Sequence, residues 1–217
     1  MMKPKTKLEI LVDVRPTRIE SVRIHAFFDE ALEILTEKGY GVISLAENAQ
    51  LRIQQEKDSY ISRNGNWTRE GILYIPNENP RLVRDSPILF SEVEAVLAHK
   101  NGNEFYPTKN QIEKSLADSI DFPAESIEIP TDRFDSDALT VFAFGGEQQA
   151  RDYGEFLRNA GINKMPVSVV CRNRVNKQSQ PFVMQMWFRN LNNISELDCS
   201  YRDLRGAHRL RGAKVSF

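Results

Sequence analysis

The chain is short of the residues that announce chemistry: its 217 residues include two cysteines and three histidines. Cys171 and Cys199 are too few for a disulfide framework and neither belongs to a C-x-x-C pair, so structural zinc, a dithiol couple and an oxidising compartment have no support. His25, His99 and His208 stand far apart, whereas the common metal sites need three or four converging ligands. Long apolar runs are also lacking. The most apolar ones, such as 10–12 and 139–144, fall well below the roughly 18 residues of a membrane span, and residues 1–7 hold no apolar signal core. These absences predict a soluble cytoplasmic protein without a membrane contact. Missing too are G-x-G-x-x-G, G-x-x-x-x-G-K-[ST] and G-x-S-x-G. Their absence removes the sequence grounds for a dinucleotide fold, a P-loop or a nucleophile elbow, and no cofactor is implied.

What is present is an ordinary globular composition, 41% hydrophobic, 27% charged and 9% aromatic, enough for a sizeable core. The net charge of −1 conceals a division. Residues 1–150 carry 17 Lys plus Arg against 25 Asp plus Glu, and residues 151–217 carry 12 against 5, so the chain is −8 in one part and +7 in the other. Such asymmetry points either to a polyanionic partner or to pairing within the molecule. The cations group in two places: Arg172, Arg174 and Lys177 in a polar run, and Arg202, Arg205, Arg209, Arg211 and Lys214 at the C-terminus. Arginine dominates, the side chain suited to bidentate phosphate contact and base stacking. These are the candidate nucleic-acid-binding residues. The competing reading lays the basic tail across the acidic part as a strap.

Periodicity predicts an α/β or α+β fold: a single domain over 1–200 with a mixed sheet, flanking helices and a basic tail over 201–217. Residues 8–14 read as a strand ended by Arg15-Pro16. Val22, Ile24, Phe27, Phe28, Ala31, Leu32, Ile34 and Leu35 read as one amphipathic helix over 21–38, stopped by Gly39. A helix is read over 46–55, and 59–75 reads as a hairpin with its turn at Asn64-Gly65. Short extended pieces are read at 82–83 and 88–90. Ser91 with Glu94, and Thr108 with Gln111, have capping-box spacing. The helices they start have apolar faces at Val93, Val96 and Leu97, and at Ile112, Leu116 and Ile120. Residues 126–129 read as a strand. Residues 139–144, 147–160 and 167–171 read as strand, helix and strand, a right-handed parallel crossover, and 182–188 as a further strand.

Each candidate for chemistry has a bland alternative. His25 and Asp29, four apart on the first helix, would share a face as an oriented base or metal pair does, or simply flank a surface helix. His99 near a helix end meets the C-terminal dipole. Gly145-Gly146 before a helix could hold phosphate on backbone amides, but Glu147 in the first turn repels an anion, which favours a structural turn. Asp132, Asp135 and Asp137 form an acidic loop without calcium-loop spacing. That loop supplies the alternative function, a small metal-dependent enzyme acting on a phosphorylated substrate; the default is a solvated loop. Cys171 reads as a buried small hydrophobe, Trp67 as a stacking platform or core cap, and Trp187 as core.

The phrases NGNWTREGILYIP, EFYPT, EIPTDRFDSDALTVFAFGG, AGINKMP and MQMWF together resemble a family of short archaeal proteins of unassigned function. The resemblance spans most of the chain and implies a cytoplasmic prokaryotic protein, with no activity, cofactor or site to carry over. The function the sequence favours is a non-enzymatic binding or adaptor module whose basic C-terminal region contacts nucleic acid or an acidic protein.

Overall fold

A computed structural model describes residues 7–10, 19–192, 194–200, 204 and 208–215. The β-branched and aromatic segments pair into one sheet. Its strands are β1 (Lys7–Ile10), β2 (Ile19–Ala26), β3 (Gly41–Val42), β4 (Asn66–Tyr74), β5 (Arg81–Val83), β6 (Ser119–Asp121), β7 (Ile127–Pro130), β8 (Lys164–Ser168), β9 (Phe182–Phe188), β10 (Leu197–Asp198) and β11 (His208–Val215). The order is β1-β2-β11-β4-β9-β10-β8-β7, with β3 beside β11, and β5 and β6 continuing from β4. Most pairs are antiparallel, while β10 with β8 and β11 with β4 are parallel. The helices are α1 (Phe28–Glu37), α2 (Leu45–Gln55), α3 (Tyr60–Arg63), α4 (Glu92–Lys100), α5 (Lys109–Ala117), α6 (Ala138–Phe144), α7 (Glu147–Asn159) and α8 (Arg172–Val175). This is the mixed α/β sheet with flanking helices that the sequence predicts.

The alternation along β9 shows why both faces are covered. Phe182, Met184, Met186 and Phe188 enter one core with residues of α2, α6 and α7. Val183 and the half-buried Trp187 enter a second core with residues of α1 and α4. The ladder between β4 and β9 shifts register between Trp67 and Gly71. There the Gln185 side-chain amide donates to the carbonyls of Thr68 and Glu70, taking the place of backbone partners that the bulge removes.

Five expected elements differ, each for a local reason. Residues 21–26 belong to β2, not to a helix: Val22, Ile24 and Ala26 alternate into the second core, and a stretch this dense in apolar residues satisfies both periods. The hairpin over 59–75 is absent. Ser59 caps α3, accepting from the Ser62 amide at 3.4 Å, and Asn64 has φ −131°, so no type I′ turn forms and β4 pairs with β9 and β11. Residues 88–90 lie in a 3₁₀ turn (Pro87–Phe90). Residues 139–144 form α6, because Asp137 Oδ1 accepts from the Thr140 amide at 2.9 Å and Gly145 closes the helix at φ 87°. The predicted crossover therefore lacks its first strand. Residues 208–215, read as tail, form β11 between β2 and β4.

Capping follows the sequence in one case of two. Thr108 and Gln111 exchange both bonds, at 2.8 and 3.3 Å. Ser91 makes no side-chain cap; its hydroxyl instead accepts from Gln111 Nε2 at 2.9 Å.

Gly154 fixes α7 against the acidic loop. A Cβ there would stand 2.3 Å from the Thr131 carbonyl oxygen and 3.3 Å from Phe134 Cβ. Gly154→Ala is expected to destabilise the protein by about 1–3 kcal/mol despite the better helix propensity of alanine, read as a lower urea midpoint. An unchanged or raised midpoint would show that the helix and loop do not approach this closely.

Candidate functional site

The eight basic residues singled out from the sequence do not form one patch. Arg172 and Lys177 are exposed on and after α8. Arg174, between them, is spent on Glu104, with Nη2 2.6 Å from a carboxylate whose side chain is 4% exposed. Arg211 is buried and donates from Nη1 to Ser21 Oγ at 2.7 Å. It stands directly across from Arg23, whose guanidinium lies 3.6 Å above the Tyr60 ring. Lys214 Nζ lies 4.0 Å from the Tyr40 ring centroid. Arg209 pairs through its backbone with His25; its side chain, and all of Arg202 and Arg205, lie outside the described residues. β4, β9 and β10 separate the β11 group from the group that follows β8.

The charge division is partly closed inside the molecule. Arg151 pairs with Asp135 at 2.9 Å, Lys164 with Glu128 at 2.8 Å and Arg174 with Glu104 at 2.6 Å, in each case a cation of the basic part with a carboxylate of the acidic part. The first two are exposed and contribute little to stability. The third holds a buried carboxylate that would be costly without its partner.

Two of the three acids of the acidic loop have structural duties, while Asp132 is exposed. Asp137 caps α6, Asp135 holds Arg151, and Arg158 Nη1 donates to the Thr131 carbonyl at 2.6 Å. Among the described residues no three His, Cys, Asp or Glu side chains are placed to hold a metal ion. His25 and Asp29 lose their expected shared face, because His25 is on β2 and Asp29 in the first turn of α1. His99 lies in the last turn of α4, as expected, and is buried. Cys171 is exposed, contrary to its reading as a buried hydrophobe, because β8 ends at Ser168. Cys199 is buried; desolvation first, and then the neighbouring Asp198 and Glu196, push its thiol well above the ordinary value, which leaves no thiolate nucleophile. Trp67 is core, edge-on to Phe28 and to Trp187 with ring centroids 6.3 and 4.9 Å apart.

A polar cluster that the sequence reading missed lies where the second core ends. Ile24, Leu210, Trp67, Trp187, Asp198 and Ser168 stand side by side across β2, β11, β4, β9, β10 and β8. The row is apolar up to the half-buried Trp187 and polar beyond it. Arg189, just after β9, reaches Glu196 Oε2 at 2.9 Å and Asp198 Oδ2 at 2.8 Å, and the Asp198 hydrogen bond holds its guanidinium above the ordinary value. Ser200 Oγ donates to Asp198 Oδ1 at 2.7 Å, and the Ser168 hydroxyl to Glu196 Oε1. Both carboxylates are buried while the Arg189 side chain is 48% exposed. Asp198 accepts two hydrogen bonds on each oxygen and Glu196 one on each, so the set is a hydrogen-bonded cluster with a half-exposed guanidinium at its edge. The signal in the sequence was Glu196-Leu197-Asp198, whose period of two puts both acids opposite the buried Leu197.

Clefts flank this scaffold. One of about 370 Å³ lies between α2 and α7, lined by Gln50, Gln148, Gln149, Asp152 and Phe144, with the Gly145-Gly146 turn at its end. Another, of about 360 Å³, is lined by Glu125, Ser126, Cys171, Arg172 and Asn173, which places one predicted cation on a concave surface. No helix among the described residues is long and apolar enough to cross a membrane.

No family model and no curated protein matches the chain. A solved structure from Nanoarchaeota, described as the accommodation of massive sequence variation by the C-type lectin fold, superposes with a TM-score of 0.64 at 19% identity. The match covers 94% of this chain and 100% of that one. The archaeal resemblance read from the sequence thus meets an archaeal neighbour at the level of architecture. At this identity the likeness speaks for the fold alone: the chain is similar, over nearly its whole length, to a C-type lectin fold.

Proposed function

We propose that the protein is a non-enzymatic binding module whose basic C-terminal region contacts an acidic partner, nucleic acid or protein. The observation that carries the first part is the likeness to a fold that, in its Nanoarchaeota representative, accommodates massive sequence variation. A core that tolerates such change at other positions is suited to presenting a recognition surface. The Arg, Asp, Glu and Ser cluster suits that use, since it offers charged hydrogen-bonding groups at the edge of the core. The second part rests on the cations left after intramolecular pairing, Arg172 and Lys177, with Arg172 on the rim of a cleft. Arg202 and Arg205 extend the same charge along the sequence.

The test is fluorescence anisotropy with a labelled single-stranded oligonucleotide and with labelled polyglutamate, across a salt series. Binding that weakens steeply with salt is expected, and Arg172→Glu with Lys177→Glu is expected to reduce the salt slope by about 2 for a nucleic acid. No binding of either polyanion at low salt would remove the acidic partner.

A further inference from the structure

A cleft of about 240 Å³ opens between α5 and the 3₁₀ turn over Pro87–Phe90. Gln111, Lys114, Ser115 and Asp118 recur at three and four residue steps, so one side of α5, continued by its C-cap, makes the first wall. Pro87 and Phe90 make the other. Phe90 is 72% exposed, the most exposed large hydrophobic side chain among the described residues. An aromatic ring left in water on the wall of a cleft offers a packing face to whatever enters it.

Most polar groups of the cleft are already engaged. Asp85 faces Arg69 at 3.2 Å and Asp118 faces Arg84 at 3.5 Å. Arg84 also donates from Nη1 to the Phe142 carbonyl at 2.9 Å and lies 3.9 Å from the Phe142 ring centroid. The Gln111 side chain donates to Ser91 Oγ at 2.9 Å and accepts from the Thr108 amide at 2.8 Å. Two groups are left over. Lys114 is exposed and makes no ion pair or hydrogen bond among the described residues. The Ser115 hydroxyl, on a residue only 9% exposed, likewise has no hydrogen-bond partner among them. An ammonium and a hydroxyl at adjacent positions, both with donors to give, match the oxygens of a carboxylate. The aspartates at the cleft disfavour a second negative charge on the same ligand. The volume lies below the roughly 300 Å³ at which sites for drug-sized ligands begin, which suits one ring on a short acid arm. We propose that this cleft binds a small aromatic monocarboxylic acid, its carboxylate on Lys114 and Ser115 and its ring against Phe90 and Pro87. The cations assigned to the acidic partner take no part, so the two readings stand or fall separately.

Amide chemical shifts of the full chain, titrated with phenylacetate, test this. Shifts are expected in the 3₁₀ turn and in α5, saturating with a Kd of about 1 mM. Phenylacetamide, which keeps the ring and loses the charge, is expected to bind about fivefold more weakly. Lys114→Gln, at an exposed position, is expected to bring phenylacetate to the level of phenylacetamide while leaving phenylacetamide unchanged. Phe90→Ala, also exposed, is expected to weaken both ligands by about fivefold. Absence of saturable shifts up to about 10 mM overturns the proposal, as do shifts centred elsewhere. So does phenylacetamide or phenethylamine binding as tightly as phenylacetate, or wild-type affinity for phenylacetate in either variant.

Discussion

Arg52→Ala is expected to cost about 3–5 kcal/mol of folding stability, the largest effect of any single substitution considered for this protein. Arg52 lies in α2 with no exposed surface. Its Nη2 donates to the Arg189 carbonyl at 2.7 Å, its Nη1 to the Tyr153 hydroxyl at 3.0 Å and to Ser195 Oγ at 3.5 Å, and its guanidinium lies 3.8 Å above the Phe188 ring. A charge taken fully out of water is held by a carbonyl, two hydroxyls and an aromatic face, so three parts of the chain meet on it: α2, α7 and the segment leading from β9 to β10. Truncation leaves a cavity and deprives the Arg189 carbonyl of this donor. Tyr153 and Ser195 keep their mutual bond at 2.9 Å, which limits the loss. Arg52→Met, which fills most of the volume without burying a charge, is expected to cost no more than about 2 kcal/mol. Urea denaturation checks both. An alanine variant within about 1 kcal/mol of wild type would mean that the site is hydrated or collapses freely.

The second large effect is a dependence on pH. Glu70 is 1% exposed, and its carboxylate accepts from the Leu45 amide at 3.0 and 3.1 Å, at the start of α2. Desolvation raises its pKa from 4.5 to about 7; the amides of Glu70 and Leu45, and more weakly Arg69, pull the other way. The folded-state value is the higher one, so the native protein holds this proton more tightly than the unfolded chain. The resulting stabilisation is complete below about 4.5 and is lost as pH rises through about 7. The difference in unfolding free energy between wild type and Glu70→Gln is expected to change by about 3 kcal/mol across that window, with the variant gaining on wild type as pH rises. Paired denaturation curves at several pH values measure it. A constant difference would show that Glu70 titrates as it does in the unfolded chain.

How much was legible depended on whether a signal was local. Thr108 with Gln111, Gly39 at positive φ, and the helix read over 147–160 are set within a turn or two of chain, and the structure follows the sequence at each. Residues 21–26 and 139–144 are dense enough in apolar side chains to suit either period, and the choice came from what they pack on. Val22, Ile24 and Ala26 found a sheet, whereas Leu139, Ala143 and Phe144 found α2 and α7. The candidate site was legible as a list of cations but not as an arrangement. Arg174 and Arg211 are indistinguishable from Arg172 in sequence, yet one is paired with Glu104, one is buried beside Ser21 and one is free to face solvent.

By itself, then, the amino-acid order determined the class of architecture, the division of charge and the local stops and caps, because propensity, composition and capping act over a few residues. The tertiary structure alone decided that 208–215 is an inner strand instead of a tail, that the acidic and basic parts meet at Glu104, Glu128 and Asp135, and that Val93 and Leu97 face outward while Val96 faces in. Those outcomes depend on which surfaces remain to be covered once the rest of the chain has packed, a condition set by contacts between residues far apart in sequence.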